Sequence, residues 1–275
     1  MIHNLFKNEV YLEPNEHKYF DSKGNQYISF SALYGNLVKK FDANAISRYA
    51  SKGKYYSADD LKEQWNQTTV NGSRIDKALE TYAQTATLES NDYDLKKLVV
   101  DVLEKYKIYN KTYEQGVPYS LEYRVAGSWD KLSLKSNRKT SNFILSDFKC
   151  FGGGYTSLFE VKGQAWLNKP FEHLPNTKYV KISFQLSYYA YLFEMLTGRK
   201  CEKLFIDLIT PVFDETNRLV SYTNEVVPVM YLQNDIKIFL ETFREEILDD
   251  LSNTINITAE TVTETKTITV DEEYF

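Results

Sequence analysis

The sequence predicts an α/β protein, more closely an α+β mixed sheet flanked by helices. Three observations carry that expectation. Apolar residues recur at helical spacing over much of the stretch before residue 115. Short runs rich in strand formers, bounded by turn residues, occupy Tyr119 to Lys149 and return between Leu204 and Val229. A strong helical pattern, Lys178 to Leu196, separates the two groups of strands, so the order is helices, three strands, helix, two strands, helix.

Taken in order, Val10 to Ser29 reads as a hairpin. Tyr11, Tyr19, Tyr27 and Ile28 favour strands, and Asp21-Ser22-Lys23-Gly24-Asn25 is a turn. Helices are expected over Ser31–Lys39, Asn44–Ser51 and Ala58–Gln67, the last capped by Ser57, and again over Val70–Ala86 and Tyr93–Tyr113. The character changes at Gly116-Val117-Pro118. Strands are expected over Tyr119–Ala126, Ser128–Leu134 and Asn142–Lys149, with a polar loop at 135–139. An irregular segment containing Gly152-Gly153-Gly154 leads to the helix that Gly198 stops. Two more strands, Leu204–Thr210 and Val220–Val229, and a final helix from about Leu232 to Leu251 complete the chain. Three regions result: 1–115, a hairpin plus helices; 116–251, the sheet-forming core; and 252–275, an acidic Thr-rich tail.

Composition narrows the chemistry. With 275 residues, 43% of them hydrophobic, the chain can bury a substantial core. It has no apolar run of 18 residues and no signal-peptide start, so no membrane span and a cytoplasmic location are expected. Two Cys and three His cannot build a four-cysteine zinc or iron–sulfur centre. A metal site would rest on carboxylates, which favours Mg²⁺ or Mn²⁺. The net charge of -5 argues at first sight against nucleic acid. But residues 241–275 hold ten acids against two bases, so the rest of the chain is +3.

Three strings stand out: Gly127-Ser128-Trp129-Asp130, Ser146-Asp147-Phe148-Lys149 and Gln185-Leu186-Ser187-Tyr188-Tyr189. Residues two apart in a strand share a face, so Asp147 and Lys149 project together from a strand that is otherwise apolar. Buried charges there must be paired or bound to something. Asp130, on the preceding strand, adds a second carboxylate. Two acids and a lysine on neighbouring strands suit metal-assisted phosphodiester hydrolysis. A lone Asp-x-Lys triplet is ordinarily a surface ion pair. Its conjunction with Asp130 and with Gln185 and Tyr189, four apart on one helix face, is far more specific.

With these residues the chain resembles the PD-(D/E)xK nuclease superfamily, and within it the RecB-like exonucleases that carry a QxxxY signature. The opening His17-Lys18-Tyr19-Phe20-Asp21, Gly24 and Ser29-Phe30-Ser31-Ala32-Leu33 is similar to the start of RecB-like phage nucleases and of the mitochondrial genome-maintenance exonuclease. The resemblance covers roughly residues 10–210. It implies a restriction-endonuclease-like core with a helical N-terminal region forming one wall of a DNA cleft. It implies Asp130 and Asp147 as Mg²⁺ or Mn²⁺ ligands, Lys149 as the catalytic cation, and Gln185 and Tyr189 as contacts to the DNA backbone. Gly72, Asp76 and Glu80 share a helix face where the family often has Gly-xxx-His, so Asp76 stands in the histidine position as a further ligand. Trp129 stands where the family name has proline. Glu122 either joins the metal shell or is a salt-bridged strand residue. Cys150 is expected on the opposite side of the strand, as core.

The segment from Phe151 to Lys181 interleaves Lys162, Lys169, Lys178 and Lys181 with Tyr155, Phe159, Trp166 and Phe171. Cations with aromatics suit single strands or duplex ends; a self-packed Ω-loop is the other reading. Of these, Lys162, Trp166, Lys169, Lys178 and Lys181 are the candidate DNA contacts. The function expected is a metal-dependent DNA exonuclease of phage recombination, replication or genome processing, acting in the host cytoplasm. A structure-specific or flap endonuclease and a non-catalytic DNA-binding or assembly protein on the same scaffold are the alternatives. The acidic-aromatic end, Asp271 to Phe275, is either a frayed terminus or a docking peptide for a single-strand binding or annealing protein.

Overall fold

Two packed cores lie on opposite faces of a five-stranded mixed sheet. The structure, a computed structural model, describes residues 9–14, 16, 18–39, 42–54, 56–88, 93–109, 111–136, 141–161 and 163–245. The elements are β1 (Val10–Glu13), β2 (Lys18–Asp21), β3 (Gln26–Ser29), α1 (Phe30–Tyr34), α2 (Ala43–Ser51), α3 (Ala58–Thr85) and α4 (Tyr93–Glu104). There follow β4 (Lys111–Gly116), β5 (Tyr119–Ser120), β6 (Val125–Ala126), β7 (Trp129–Leu134), β8 (Phe143–Cys150), α5 (Lys178–Thr197), β9 (Cys201–Phe213), β10 (Leu219–Pro228) and α6 (Gln233–Thr242). The main sheet has the order β10-β9-β8-β7-β4, antiparallel except where β8 pairs β9 in parallel. A small second sheet has the order β1-β2-β3-β6-β5. The expected class, a mixed sheet flanked by helices, is the one found, with helices packed on both faces.

The alternation of β8 assigns the faces. Phe143 and Leu145 belong to the core shared with α5, α6, α1 and the small sheet, whereas Ile144 and Phe148 belong to the core under α3 and α4. Helix α5 is apolar around nearly its whole circumference, which is why it lies inside. Thr177 caps it by accepting from Val180 N, and Gly198 closes it in the left-handed conformation (φ 69°). Helix α3 starts at a capping box in which Ser57 and Asp60 satisfy each other's backbone N–H groups.

Several elements differ from expectation. The helices expected over 58–67 and 70–86 are one helix of 28 residues, because the intervening Thr68 and Thr69 hydroxyls bond back to Gln64 O and Trp65 O instead of breaking the ladder. The helix expected to reach Tyr113 ends at Glu104, and Tyr113 pairs with Leu132 in β4. Residues 111–116 thus belong to the main sheet, and the boundary expected at 115 falls inside a strand. The N-terminal hairpin is three-stranded and shares its core with α5. The strand expected over 119–126 is broken by a turn in which Arg124 adopts φ 52°. His17, Lys162, the end of the expected final helix and the whole 252–275 tail lie outside the described residues. Among the described residues no helix is long and apolar enough to cross a membrane.

Candidate active site

The ends of β7 and β8 bring the acidic residues and the lysine together. Asp147 and Lys149 project from the face of β8 that looks towards α5, and Asp147 is 3% exposed. Their side chains form an ion pair. Across the antiparallel ladder, Asp130 Oδ2 accepts the Phe148 N–H at 2.9 Å and lies within hydrogen-bonding reach of the Asp147 carboxyl. Desolvation, and then the neighbouring Asp147 charge, push the Asp130 pKa well above the usual carboxylate range. Desolvation opposes the charge on Lys149, but Asp147 and Asp130 outweigh it and hold the ammonium protonated. Apart from Lys149, buried Asp147 Oδ2 has no hydrogen-bond partner among the described residues.

Helix α3 supplies a third acid from the side. Cys150 Sγ lies 3.9 Å from Asp76 Oδ1, and Gly72, one turn earlier, faces the Cys150 Cβ. Burial raises the Asp76 pKa to about 6, Lys149 working against this and Asp147 with it. Cys150 was expected in the core behind the strand. It does point to that face, but there it meets the carboxyl of Asp76, because α3 crosses the strand end where the Gly72 backbone can approach. Burial, then Asp76, raise the thiol pKa.

Helix α5 covers the cluster. Gln185 Nε2 donates to Tyr189 OH at 2.9 Å, so the two residues act as a unit. Tyr189 is 5% exposed, and burial raises its pKa so strongly that it stays a phenol; Asp147 and Asp130 add to this. One turn before Gln185, Lys181 is close enough to Lys149 for the two charges to interact. Desolvation and that repulsion lower its pKa.

Other candidates are dispersed. Glu122 sits in the turn after β5, exposed and 3.8 Å from Arg244, and is not joined to the Asp130–Asp147 pair. This corresponds to the salt-bridged alternative; the strand that would have aimed it inward is broken at 121–124. Trp166 and Lys169 are exposed on the connection between β8 and α5, and Lys178 Nζ lies 4.1 Å from the Phe151 ring centre. Phe171, in the same connection, is fully buried against Phe184 and Phe239 and is core. His173 pairs with Asp235 at 2.9 Å.

A divalent cation fits this donor set. Among the described residues no three His, Cys, Asp or Glu side chains converge to enclose a metal. Two carboxylates do meet, at a mutual cost that a cation between them would relieve, and the buried Asp147 Oδ2 has no partner beyond the Lys149 ammonium among the described residues. One or two carboxylates, completed by water and substrate phosphate, are the ligand set Mg²⁺ commonly takes.

Sequence reasoning missed two contributors. Gly127 lets Tyr188 and Tyr189 close over the strand, since a Cβ there would lie 2.7 Å from Tyr189 Cδ1. Its place in the Gly-Ser-Trp-Asp string was the available signal. Asp207 on β9 anchors the reverse face of the sheet, and nothing in its local sequence distinguishes it.

No protein-family model matches the chain, and no curated protein matches it. Among solved structures it is similar to the crystal structure of an alkaline exonuclease (LHK-Exo) from Laribacter hongkongensis. The identity is 15% and the TM-score 0.29, over 84% of this chain and 99% of that one.

Proposed function

We propose that the protein is a metal-dependent deoxyribonuclease of the RecB-like kind, an exonuclease that hydrolyses phosphodiester bonds in phage recombination, replication or genome processing. The supporting observation is the convergence of Asp130, Asp147 and Lys149 beneath the Gln185–Tyr189 pair.

Asp130 and Asp147 would hold Mg²⁺ or Mn²⁺, with Asp76 close by. When bound, such an ion lowers the pKa of water and stabilises charge on phosphate oxygens. The rest falls to the side chains. Lys149 stays protonated and offers a point charge to the negative charge that grows as the P–O ester bond breaks. Tyr189 OH accepts from Gln185, which leaves its own proton to donate to a phosphate oxygen. As a phenol with a raised pKa it keeps that proton through the reaction. Lys181 extends the positive charge along α5 for the next phosphate.

The test is incubation with end-labelled linear, circular and single-stranded DNA, in Mg²⁺, Mn²⁺ or EDTA, beside Lys149→Ala. Loss of linear DNA alone, abolished by EDTA and by the substitution, is the expected outcome. Cutting of circles would replace the exonuclease by an endonuclease. No metal-dependent cleavage of any form would leave a DNA-binding protein on a nuclease scaffold.

A further inference from the structure

Between β8 and α5, on the connection that follows the carboxylate strand, aromatic rings are held in solvent. Tyr155 and Phe159 flank a 3-10 turn, Tyr155–Leu158, with ring centres 5.2 Å apart. Phe159 stacks in turn on Tyr179 at 4.8 Å and 30°. Tyr179 lies in the first turn of α5, and its hydroxyl donates to Pro228 O at 3.3 Å, which fixes the base of the stack. Yet Tyr155 and Phe159 remain 47% and 44% exposed. The turn beneath them is anchored. Ser157 and Leu158 are buried, and Ser157 Oγ donates to Gly154 O at 2.8 Å. A tethered backbone therefore keeps apolar ring faces in water, where burial would otherwise favour them.

The stack is linked to the site through the chain and through Lys178. Phe151 follows Lys149 by two residues, and Lys178 Nζ sits over its ring at 4.1 Å. Lys178 and Tyr179 are adjacent, and Lys181 is electrostatically coupled to Lys149. Lys178, next to the base of the stack in sequence, thus lies against Phe151, two residues beyond Lys149. An apolar peptide would use the rings but not the cations. A duplex would meet the cations but hide its base faces. An unpaired strand uses both, through phosphates and bases.

We propose that the Tyr155–Phe159–Tyr179 stack is a base-stacking platform for single-stranded DNA, feeding a strand past Lys178 and Lys181 to the carboxylate site. This rests on the nuclease reading and narrows its substrate to ends with unpaired nucleotides. Because every base has a π face, the platform would be indifferent to sequence.

The test is fluorescence anisotropy in EDTA with labelled oligothymidylate, an abasic oligomer of equal length, a blunt duplex and oligouridylate. Tyr155→Ala with Phe159→Ala should weaken oligothymidylate binding at least about fivefold and leave the abasic oligomer and the duplex nearly unchanged. Phe159→Leu, which keeps apolar cover over Tyr179 but removes the π face, should move binding in the same direction, with an unchanged melting curve. No binding of oligothymidylate by the native protein, equal losses for the abasic oligomer, or full retention in both variants would overturn the platform. Tighter binding of oligouridylate would overturn its assignment to DNA. The nuclease reading is judged apart, by cleavage in Mg²⁺ or Mn²⁺. Stacking without cleavage would sink that reading alone, and cleavage with no effect of ring removal would sink the platform alone.

Discussion

Gly127 lies against the ring of Tyr189, so close that a Cβ at that position would sit 2.7 Å from Tyr189 Cδ1 and 3.3 Å from Tyr188 Cε1. Those rings belong to the helix that covers the carboxylates. Gly127→Ala should therefore displace α5 from the strand end. The expected cost is about 1–3 kcal/mol, as for overpacking elsewhere, together with a loss of cleavage. Urea unfolding and a linear-DNA assay would register both. An alanine variant with unchanged stability and rate would mean that the rings move aside freely.

Lys149 neutralises a pair of carboxylates that desolvation makes costly. If it also offsets charge in the reaction, Lys149→Ala should lower the cleavage rate by about 10²–10³, the range seen when one preorganised electrostatic contact is removed. DNA binding in EDTA should change far less. A single-turnover measurement at saturating Mg²⁺ checks this, and a rate within threefold of the native protein would remove the lysine from the chemistry.

Behind the same strands, Asp207 is fully buried and receives the Lys105 ammonium and the Tyr106 hydroxyl. Tyr106 also shares a hydrogen bond with Ser146 at 2.9 Å, and Lys131 Nζ lies 4.4 Å from its ring centre. Burial still raises the Asp207 pKa against these partners. The network ties the segment after α4 to β8 and β9, on the face away from Lys149. Tyr106→Phe should cost about 1–3 kcal/mol, the range for leaving a buried polar group unsatisfied. The midpoint of urea unfolding should fall at constant slope, with cleavage per folded molecule unchanged. A fall in activity at equal stability would show that the two faces of the sheet are coupled.

The β9–β10 turn offers a test by pH. Asp214 accepts from Thr216 N at 2.8 Å, Thr216 Oγ1 at 2.6 Å and Arg218 N at 3.0 Å. These bonds lower its pKa to about 2. A carboxyl with a depressed folded-state pKa contributes stability above its unfolded pKa of about 3.9. That contribution is lost as pH falls through about 2. Asp214→Ala should lower the melting temperature at neutral pH by a few degrees at most. The gap to the native protein should shrink as the pH drops below 4. A gap independent of pH would assign the effect to the turn backbone and not to the charge.

Much of the candidate site was legible because its members sit at short, regular spacings. Asp147 and Lys149 share a strand face by two-residue alternation, and Gln185 and Tyr189 share a helix face by a spacing of four. The structure keeps both pairs in contact. Ser57 was readable as a cap because a capping box is local in sequence. Tyr113 was not readable as a strand residue. Its local pattern continues that of α4, and only the ladder with Leu132 overrides it. Glu122 looked like a neighbour of Asp130 until the turn at Arg124 broke the strand between them.

What the sequence determined by itself was periodicity: which residues share a face, where the long apolar helix begins and ends, and that an acid pair and a lysine lie on neighbouring strands. Local backbone geometry repeats every two or every 3.6 residues, so spacing alone carries that information. The tertiary structure decided the rest. It brought Asp76 of α3 to the end of β8 through Cys150, joined β4 to the main sheet, and placed Asp207 opposite Tyr106. It also left Tyr155 and Phe159 in solvent while burying Phe171 in the same connection. Each of those outcomes depends on which distant segments exclude water together, and no local period records that.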